Sequence, residues 1–182
     1  MSAKTILGQT AEIAGPKKAF VIPKPEVAAS MIKRAKRPLL VVGSESLNAK
    51  TVDGDLIDTA IRLGKKAGIT VAATGHMVRE FRNRNAEGVH SMPLMNLGDR
   101  LRDPNWKGFD GEGQYDLVVF AGLPYYLEWL VLNGLKHFAV GLTTISFDAS
   151  YQPNASWSLG TMREEEWKEV IDRIASILEE AA

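Results

Sequence analysis

Seven glycine and polar residues directly follow the apolar runs that we expect to form buried strands. They are Gly43, Ser44, Thr74, Gly75, His76, Gly122 and Asp148. Ligands of an open parallel sheet bind beyond the carboxyl ends of its strands, near the point where the strand order reverses. A glycine there lets backbone N–H groups approach a phosphate, although it also serves simply to turn the chain. We therefore take these seven residues as candidate cofactor-binding residues, and we assign no catalytic residue.

Three of these side chains have an alternative interpretation. Asp148 could accept hydrogen bonds from a ribose, or it could cap the turn that follows its strand. His76 could polarise a substrate, but no acid or nucleophile stands beside it in sequence, which also fits a structural histidine. Ser44 follows a strand like the serine of a hydrolase, but it lacks the second glycine of the G-x-S-x-G turn, so we reject a hydrolase.

Standard signatures for nucleotides and metals are missing. The sequence contains neither G-x-G-x-x-G nor the phosphate-binding G-x-x-x-x-G-K-[ST] pattern, so a nucleotide is permitted but not required. It contains no cysteine, and its histidines (His76, His90 and His137) have no metal-binding spacing. We expect no metal on this chain, and any redox metal chemistry must then lie on a partner.

Short apolar runs and amphipathic segments alternate along the chain. The runs predict buried strands at residues 39–42, 69–73, 117–121 and 143–147. Helical spacing predicts helices at residues 25–37, 56–67, 77–83, 93–102 and 125–136, and a last one that begins with a capping box, Thr161-Met162-Arg163-Glu164. The alternation predicts an α/β fold with a doubly wound parallel sheet, Rossmann-like in topology.

The first 24 residues show no helical or strand period; they contain Gly15-Pro16 and end with Pro23-Lys24, directly before Pro25. We interpret residues 1–24 as an N-terminal arm that lies across this domain or a neighbour; an ordinary frayed terminus is the alternative. Residues 25–182 are expected to form a single Rossmann-like domain.

The amino-acid composition of the chain argues against several classes of function. The 182 residues include 22 basic and 22 acidic side chains, with a net charge of zero. That balance argues against binding to nucleic acid or to a membrane surface. No apolar run approaches the roughly 18 residues of a spanning helix, and the start of the chain lacks a secretory signal, so we expect a cytoplasmic protein.

Apolar and aromatic residues point to interfaces. Residues 125–135 are apolar on almost every side of the predicted helix, which fits either burial within the domain or a subunit contact. Trp106 and Trp157 lie in predicted loops, where each either pins the loop or anchors a partner. The basic stretch from Arg79 to Arg84 fits a solvated helix face or, less simply, a docking patch.

Three stretches of the chain resemble the epsilon subunit of the archaeal acetyl-CoA decarbonylase/synthase (CO dehydrogenase) complex. They are K-R-P-L-L-V-V-G at residues 36–43, W-K-G-F-D-G-E-G-Q-Y-D-L-V-V-F-A-G-L-P-Y-Y at 106–126, and Y-Q-P-N-A at 151–155. The resemblance extends over essentially the whole chain, and the middle stretch is its most specific part. The first stretch is also similar to the middle domain of thiamine-diphosphate enzymes, some of which hold FAD.

The resemblance implies an accessory, noncatalytic subunit in one-carbon metabolism. It implies a complex with the large alpha subunit, which carries the nickel–iron–sulfur chemistry, in an α2ε2 component, and self-association is expected with it. The roles implied are stabilising the alpha subunit and aiding electron transfer to FAD. An independent nucleotide- or flavin-binding protein is the alternative.

Overall fold

The computed structural model describes residues 17–180, and within them the chain alternates strands with helices. The helices are α1 (Pro25–Arg34), α2 (Leu56–Lys66), α3 (Val78–Asn83), α4 (Leu94–Arg102), α5 (Tyr125–Phe138) and α6 (Glu164–Glu179). The strands are β1 (Phe20–Val21), β2 (Pro38–Val42), β3 (Lys50–Thr51), β4 (Gly54–Asp55), β5 (Thr70–Ala73), β6 (His90–Ser91), β7 (Leu117–Ala121), β8 (Thr143–Ser146) and β9 (Trp157–Ser158).

Seven of the strands in this part of the chain form one parallel sheet, in the order β1-β9-β8-β7-β2-β5-β6. From β2 the chain adds β5 and β6 on one side, then returns to add β7, β8 and β9 on the other. The strand order therefore reverses between β2 and β7, which is the arrangement of a doubly wound Rossmann-like fold. The fold class predicted from the sequence is confirmed.

Helices cover both faces of the sheet. Side chains alternate along β2, so that Leu40 and Val42 join a core with α1, α2 and α6, while Leu39 and Val41 join a second core with α4 and α5. Burial on both faces explains why the strands are continuous apolar runs rather than alternating ones. No helix among residues 17–180 is long and apolar enough to cross a membrane.

Several predicted boundaries were wrong. Helix α1 ends at Arg34, three residues before the predicted end. The capping box at the start of α6 does not form: Arg163 is the N-cap residue and makes no side-chain cap. Thr161 instead accepts a hydrogen bond from the backbone N–H of Tyr151 through Oγ1, 3.2 Å away, so its hydroxyl serves another segment.

The described end of the predicted N-terminal arm contributes a strand to the sheet. Phe20 and Val21 pair in parallel with Trp157 and Ser158 at the sheet edge, so Trp157 lies in a short strand and not in a loop. Residues 1–16 lie outside the described part of the chain. The division of the chain at residue 24 therefore stays a prediction.

An arginine joins two of the stretches that carry the family resemblance. The Arg37 guanidinium donates to both carboxylate oxygens of Asp110, at 2.6 and 2.8 Å, and to Glu112 at 3.1 Å. It lies over the ring of Tyr115, and Trp106 packs in the same aromatic cluster. Trp106 therefore pins its loop to this domain, which was one of the two interpretations of that residue.

Asp55 holds the start of α2 in place. Its carboxylate accepts the backbone N–H groups of Ile57 and Asp58, and it receives two hydrogen bonds from Arg84. Burial alone would raise the pKa of Asp55, but the hydrogen bonds, led by those from Arg84, hold that pKa below its ordinary value. Arg84, at the end of the basic stretch, therefore has a structural partner in this domain.

We expect Asp55→Asn to lower the free energy of unfolding by about 1 to 2 kcal/mol, because asparagine keeps an acceptor for the helix but loses the charged pair with Arg84. Urea unfolding measures the change. Asp53→Asn is the matched control: Asp53 is exposed and pairs only with Arg62 in the described structure, so its change should stay within about 0.5 kcal/mol. Equal losses in the two variants would contradict this role of Asp55.

Candidate functional site

The strand order reverses between β2 and β7, and the loops that follow these two strands contact each other directly at this switch point. The N–H of Gly43 donates to the carbonyl of Ala121 at 2.9 Å, and the N–H of Glu45 donates to the carbonyl of Gly122 at 2.8 Å. A Cβ built on Gly43 would lie 2.4 Å from the carbonyl oxygen of Gly122, and one built on Gly122 would lie 2.0 Å from Ser46 Oγ. Both glycines are therefore needed for the close approach of two loops, not for the approach of a phosphate.

The seven predicted site residues separate into two groups. Gly122 and Asp148 line a cleft beyond the carboxyl ends of β7 and β8. Thr74, Gly75 and His76 lie beyond β5, where the N–H and hydroxyl of Thr74 both donate to the carbonyl of Val42. His76 is exposed in a single 3-10 turn, Gly75–Met77. Gly43 is buried in the loop contact, and Ser44 begins the 3-10 helix Ser44–Leu47 that follows it.

Asp148 binds the turn that joins β7 to α5. Its carboxylate accepts the backbone N–H of Gly122 at 2.5 Å and that of Leu123 at 3.2 Å, just ahead of α5. These N–H groups belong to the strand-to-helix turn that binds phosphate in nucleotide-binding folds. Asp148 therefore caps the turn after β7, and not the turn that follows its own strand β8. The contact of Asp148 with a ribose stays a prediction.

The cleft beside Asp148 has a volume of about 430 Å³ and acidic walls. Its lining residues are Glu45, Asn48, Ala49, Gly122, Leu123, Tyr125, Glu128, Asp148, Ala149, Ser150, Gln152, Glu164 and Trp167. Four of them are carboxylic acids, and no lysine or arginine is among them. Such a lining repels phosphate groups.

Glu128 and Gln152 form the buried wall of the cleft. Both are 0% exposed, and Gln152 Nε2 donates to Glu128 Oε2 and to the carbonyl of Tyr125, each at 3.0 Å. Burial raises the pKa of Glu128 well above its usual range, and the adjacent carboxylate of Asp148 raises it further. Burial likewise raises the pKa of Asp148, to about 6, against the lowering effect of its N–H donors.

Sequence reasoning missed Glu128 and Gln152, although a signal was present for each. Glu128 is the one charged residue in an otherwise apolar stretch of α5, where burial of the helix forces burial of the carboxyl group. Gln152 lies within the Y-Q-P-N-A stretch. Neighbouring Asn154 is also buried, and its Nδ2 donates to the carbonyl of Trp129 at 3.3 Å, so this stretch fastens the chain to α5.

The residues at the strand ends do not fit the pyrophosphate of FAD. The turn ahead of α5 already donates to Asp148, the loops at the switch point touch each other, and the open cleft is acidic. We derive no electron-transfer step through a flavin at this cleft.

The titration of Glu128 gives a testable pH dependence. The folded state retains protons on Glu128 and Asp148 that the unfolded chain releases above about pH 4, so rising pH favours unfolding through about pH 6 and beyond. Glu128→Gln mimics the protonated acid. We expect this variant to match the original chain near pH 4 and to exceed its unfolding free energy by about 1 to 2 kcal/mol near pH 8.

Urea unfolding at a series of pH values measures this difference. Glu169→Gln, on the exposed side of α6, is the control and should leave the pH profile unchanged. If the unfolding free energies of Glu128→Gln and of the original chain changed in parallel with pH, that result would contradict the raised pKa of Glu128.

The acidic cleft also leads to a prediction for flavin binding. Titration of the chain with FAD, followed by flavin fluorescence, should show no saturable change up to millimolar concentration. Riboflavin, which has the same flavin ring but lacks the pyrophosphate, is titrated in parallel as the matched control for FAD. Saturable binding of FAD, weakened by a substitution in the Gly122–Leu123 turn, would contradict our interpretation of the cleft.

Comparison with known proteins places the chain in a family. Residues 3–175 match the family model described as CO dehydrogenase beta subunit/acetyl-CoA synthase epsilon subunit. The chain is 40% identical over 155 residues to the acetyl-CoA decarbonylase/synthase complex subunit epsilon of Methanothrix soehngenii, covering 85% of this chain and 80% of the relative. It is 44% identical over 137 residues to subunit epsilon 1 of Archaeoglobus fulgidus, covering 74% and 71% of the two chains.

A third relative covers nearly the full length of both proteins. The epsilon subunit of the same complex from Methanothermobacter thermautotrophicus is 32% identical over 176 residues, which is 96% of each chain. The resemblance noted in the three sequence stretches is confirmed by these matches. The chain therefore belongs to the CO dehydrogenase beta subunit/acetyl-CoA synthase epsilon subunit family.

Proposed function

We propose that this chain is an accessory, noncatalytic subunit that binds and stabilises the large CO dehydrogenase alpha subunit, in an α2ε2 component of an acetyl-CoA decarbonylase/synthase complex. Relatives at 32–44% identity carry the name of an epsilon subunit of that complex, and this supports the assignment. Transfer of electrons to FAD stays a prediction of the resemblance. We assign this chain no part in it, because the cleft does not fit the pyrophosphate.

The observation that carries the proposed contact is the outer face of α5. Tyr126, Leu130, Gly134 and Phe138 follow one another at four-residue spacing, which places them along one side of the helix. The three apolar side chains are 69%, 47% and 64% exposed. On the opposite side, Val131, Leu132 and Leu135 are buried in the domain. The helix is thus apolar on both sides but covered by described residues on only one.

The glycine at position 134 supports a close approach of the proposed partner to this face. A glycine in a helix interior costs roughly 0.5 to 1 kcal/mol relative to alanine. No described atom outside its helical surroundings lies within 4 Å of a Cβ built on Gly134, so packing within this domain does not require a glycine there. A glycine between exposed apolar side chains is what a tightly packed partner surface would require.

Substitution of Gly134 tests the contact. Gly134→Leu should leave the isolated chain as stable as before, or more stable by up to about 1 kcal/mol, because leucine favours the helix and meets open space. The same side chain should lower recovery of the large subunit about tenfold or more, because it overfills the interface. Anoxic purification from the native source, with a tagged copy as bait, measures recovery through nickel, iron and CO oxidation.

Two arginine substitutions test whether this face of α5, or another part of the surface, contacts the large subunit. Leu130→Arg should also lose the large subunit, while Val52→Arg should retain it, because Val52 is 68% exposed on the distant β3–β4 hairpin. Retention in both α5 variants would mean that another surface makes the contact. Recovery of this chain alone, free of metal and inactive, with the unsubstituted bait would overturn the proposed function.

A further inference from the structure

The acidic cleft has an unpartnered hydrogen-bond acceptor in its buried wall. Gln152 Nε2 is held by Tyr125 and Glu128, which fixes the side-chain amide. Its other end, Oε1, has no hydrogen-bond partner among residues 17–180, although Gln152 is 0% exposed and lines the cleft. A buried polar atom without a partner is costly, and native proteins rarely leave one. This acceptor calls for a donor from outside the described chain.

The ionisable side chains around that acceptor are mostly carboxylic acids. Asp148 stands beside Glu128; burial is the main cause that raises the pKa of Asp148, and the charge of Glu45 adds a smaller rise. Glu164 lines the cleft from the start of α6 and pairs with Lys168 at 2.7 Å, which leaves the other three acids without a basic partner at the wall. A ligand that satisfies this wall must carry several donors and a positive charge.

Among cations, the geometry favours an organic one. No cluster of three or more acidic or histidine side chains among the described residues could hold a metal ion. The wall instead spreads its acceptors over Glu45, Glu128, Asp148 and the amide of Gln152. A guanidinium group, planar and with five N–H donors, is the side-chain cation that suits several separate acceptors at once.

We propose that this cleft binds a guanidinium group, held by Gln152 Oε1 and by the carboxylates of Glu128, Asp148 and Glu45. Binding of the cation displaces the proton that the Glu128–Asp148 pair retains when the cleft is empty, and that proton passes to the solvent. The site is separate from the outer face of α5, and it does not depend on the proposed subunit contact. The guanidinium belongs either to a free metabolite or to an arginine of another subunit.

Methylguanidinium is the probe, and its neutral isostere methylurea is the matched control. We expect saturable binding of methylguanidinium to the full chain by titration calorimetry, and no binding of methylurea. Affinity should rise roughly tenfold from about pH 5 to about pH 7, and the measured heat should vary with the ionisation enthalpy of the buffer, because a proton is released. No saturable binding, or equal binding of both probes, would overturn the proposal.

Substitutions locate the bound cation. Glu128→Gln should weaken binding about tenfold and reduce the proton release, because it removes a charge-assisted acceptor and one of the two raised carboxyl groups. Glu45 is exposed, so Glu45→Gln should leave the fold intact, and it should weaken binding severalfold. Glu169→Gln, remote from the cleft, should change nothing. Weakening by Glu169→Gln equal to that by Glu45→Gln would show only nonspecific attraction and would overturn the site.

The same probe distinguishes the two sources of the guanidinium. If an arginine of another subunit fills the cleft, the purified complex should no longer bind methylguanidinium, while the isolated chain does. If the ligand is a free metabolite, both should bind it with the same dependence on Glu128. Binding by the complex that Glu128→Gln leaves unchanged would contradict both forms of the proposal.

Discussion

The direct backbone contact between the loops after β2 and β7 determines what the carboxyl edge of the sheet can do. Gly43 and Gly122 approach each other so closely that a Cβ on either residue would overlap the opposite loop. In a nucleotide-binding sheet the crevice opens at this switch point. Here the two loops fill that position, and the open space lies further along the edge, beyond β7 and β8. The contact therefore leaves the cleft beside Asp148 as the open space at this part of the edge, and the acidic lining of that cleft fits a pyrophosphate poorly.

The regular part of the fold was predictable because both faces of the sheet are buried. Continuous apolar runs located β2, β5, β7 and β8, and helical spacing located the helices that cover them. The five two-residue strands of the described chain, β1, β3, β4, β6 and β9, were not predicted, since two residues are too few to show a period. The capping box failed because Thr161 Oγ1 accepts no hydrogen bond from the start of α6 and instead accepts one from the N–H of Tyr151. Local spacing does not show that contact.

The candidate site was predictable in position but not in chemistry. Parallel strands put their carboxyl ends at one edge, so Gly122 and Asp148 were correctly expected there. Whether a glycine faces a ligand or another loop depends on contacts between distant residues, and so does the pairing of Glu128 with Asp148. The three stretches that carry the family resemblance proved to be one connected structure: Arg37 binds the loop at Asp110, and Gln152 and Asn154 bind α5. The family pattern therefore marks the framework around the cleft.

The edge strand β1 has a consequence for the order in which the protein is made. Phe20 and Val21 leave the ribosome well before Trp157 and Ser158, the residues with which they pair in the described sheet. Contacts between residues so far apart in sequence form late and slowly. The central strands β2 and β5 can pair well before then, since fewer residues separate them. During translation, β1 must therefore remain unpaired until β9 has been made, and among the described strands it is the last to join the sheet.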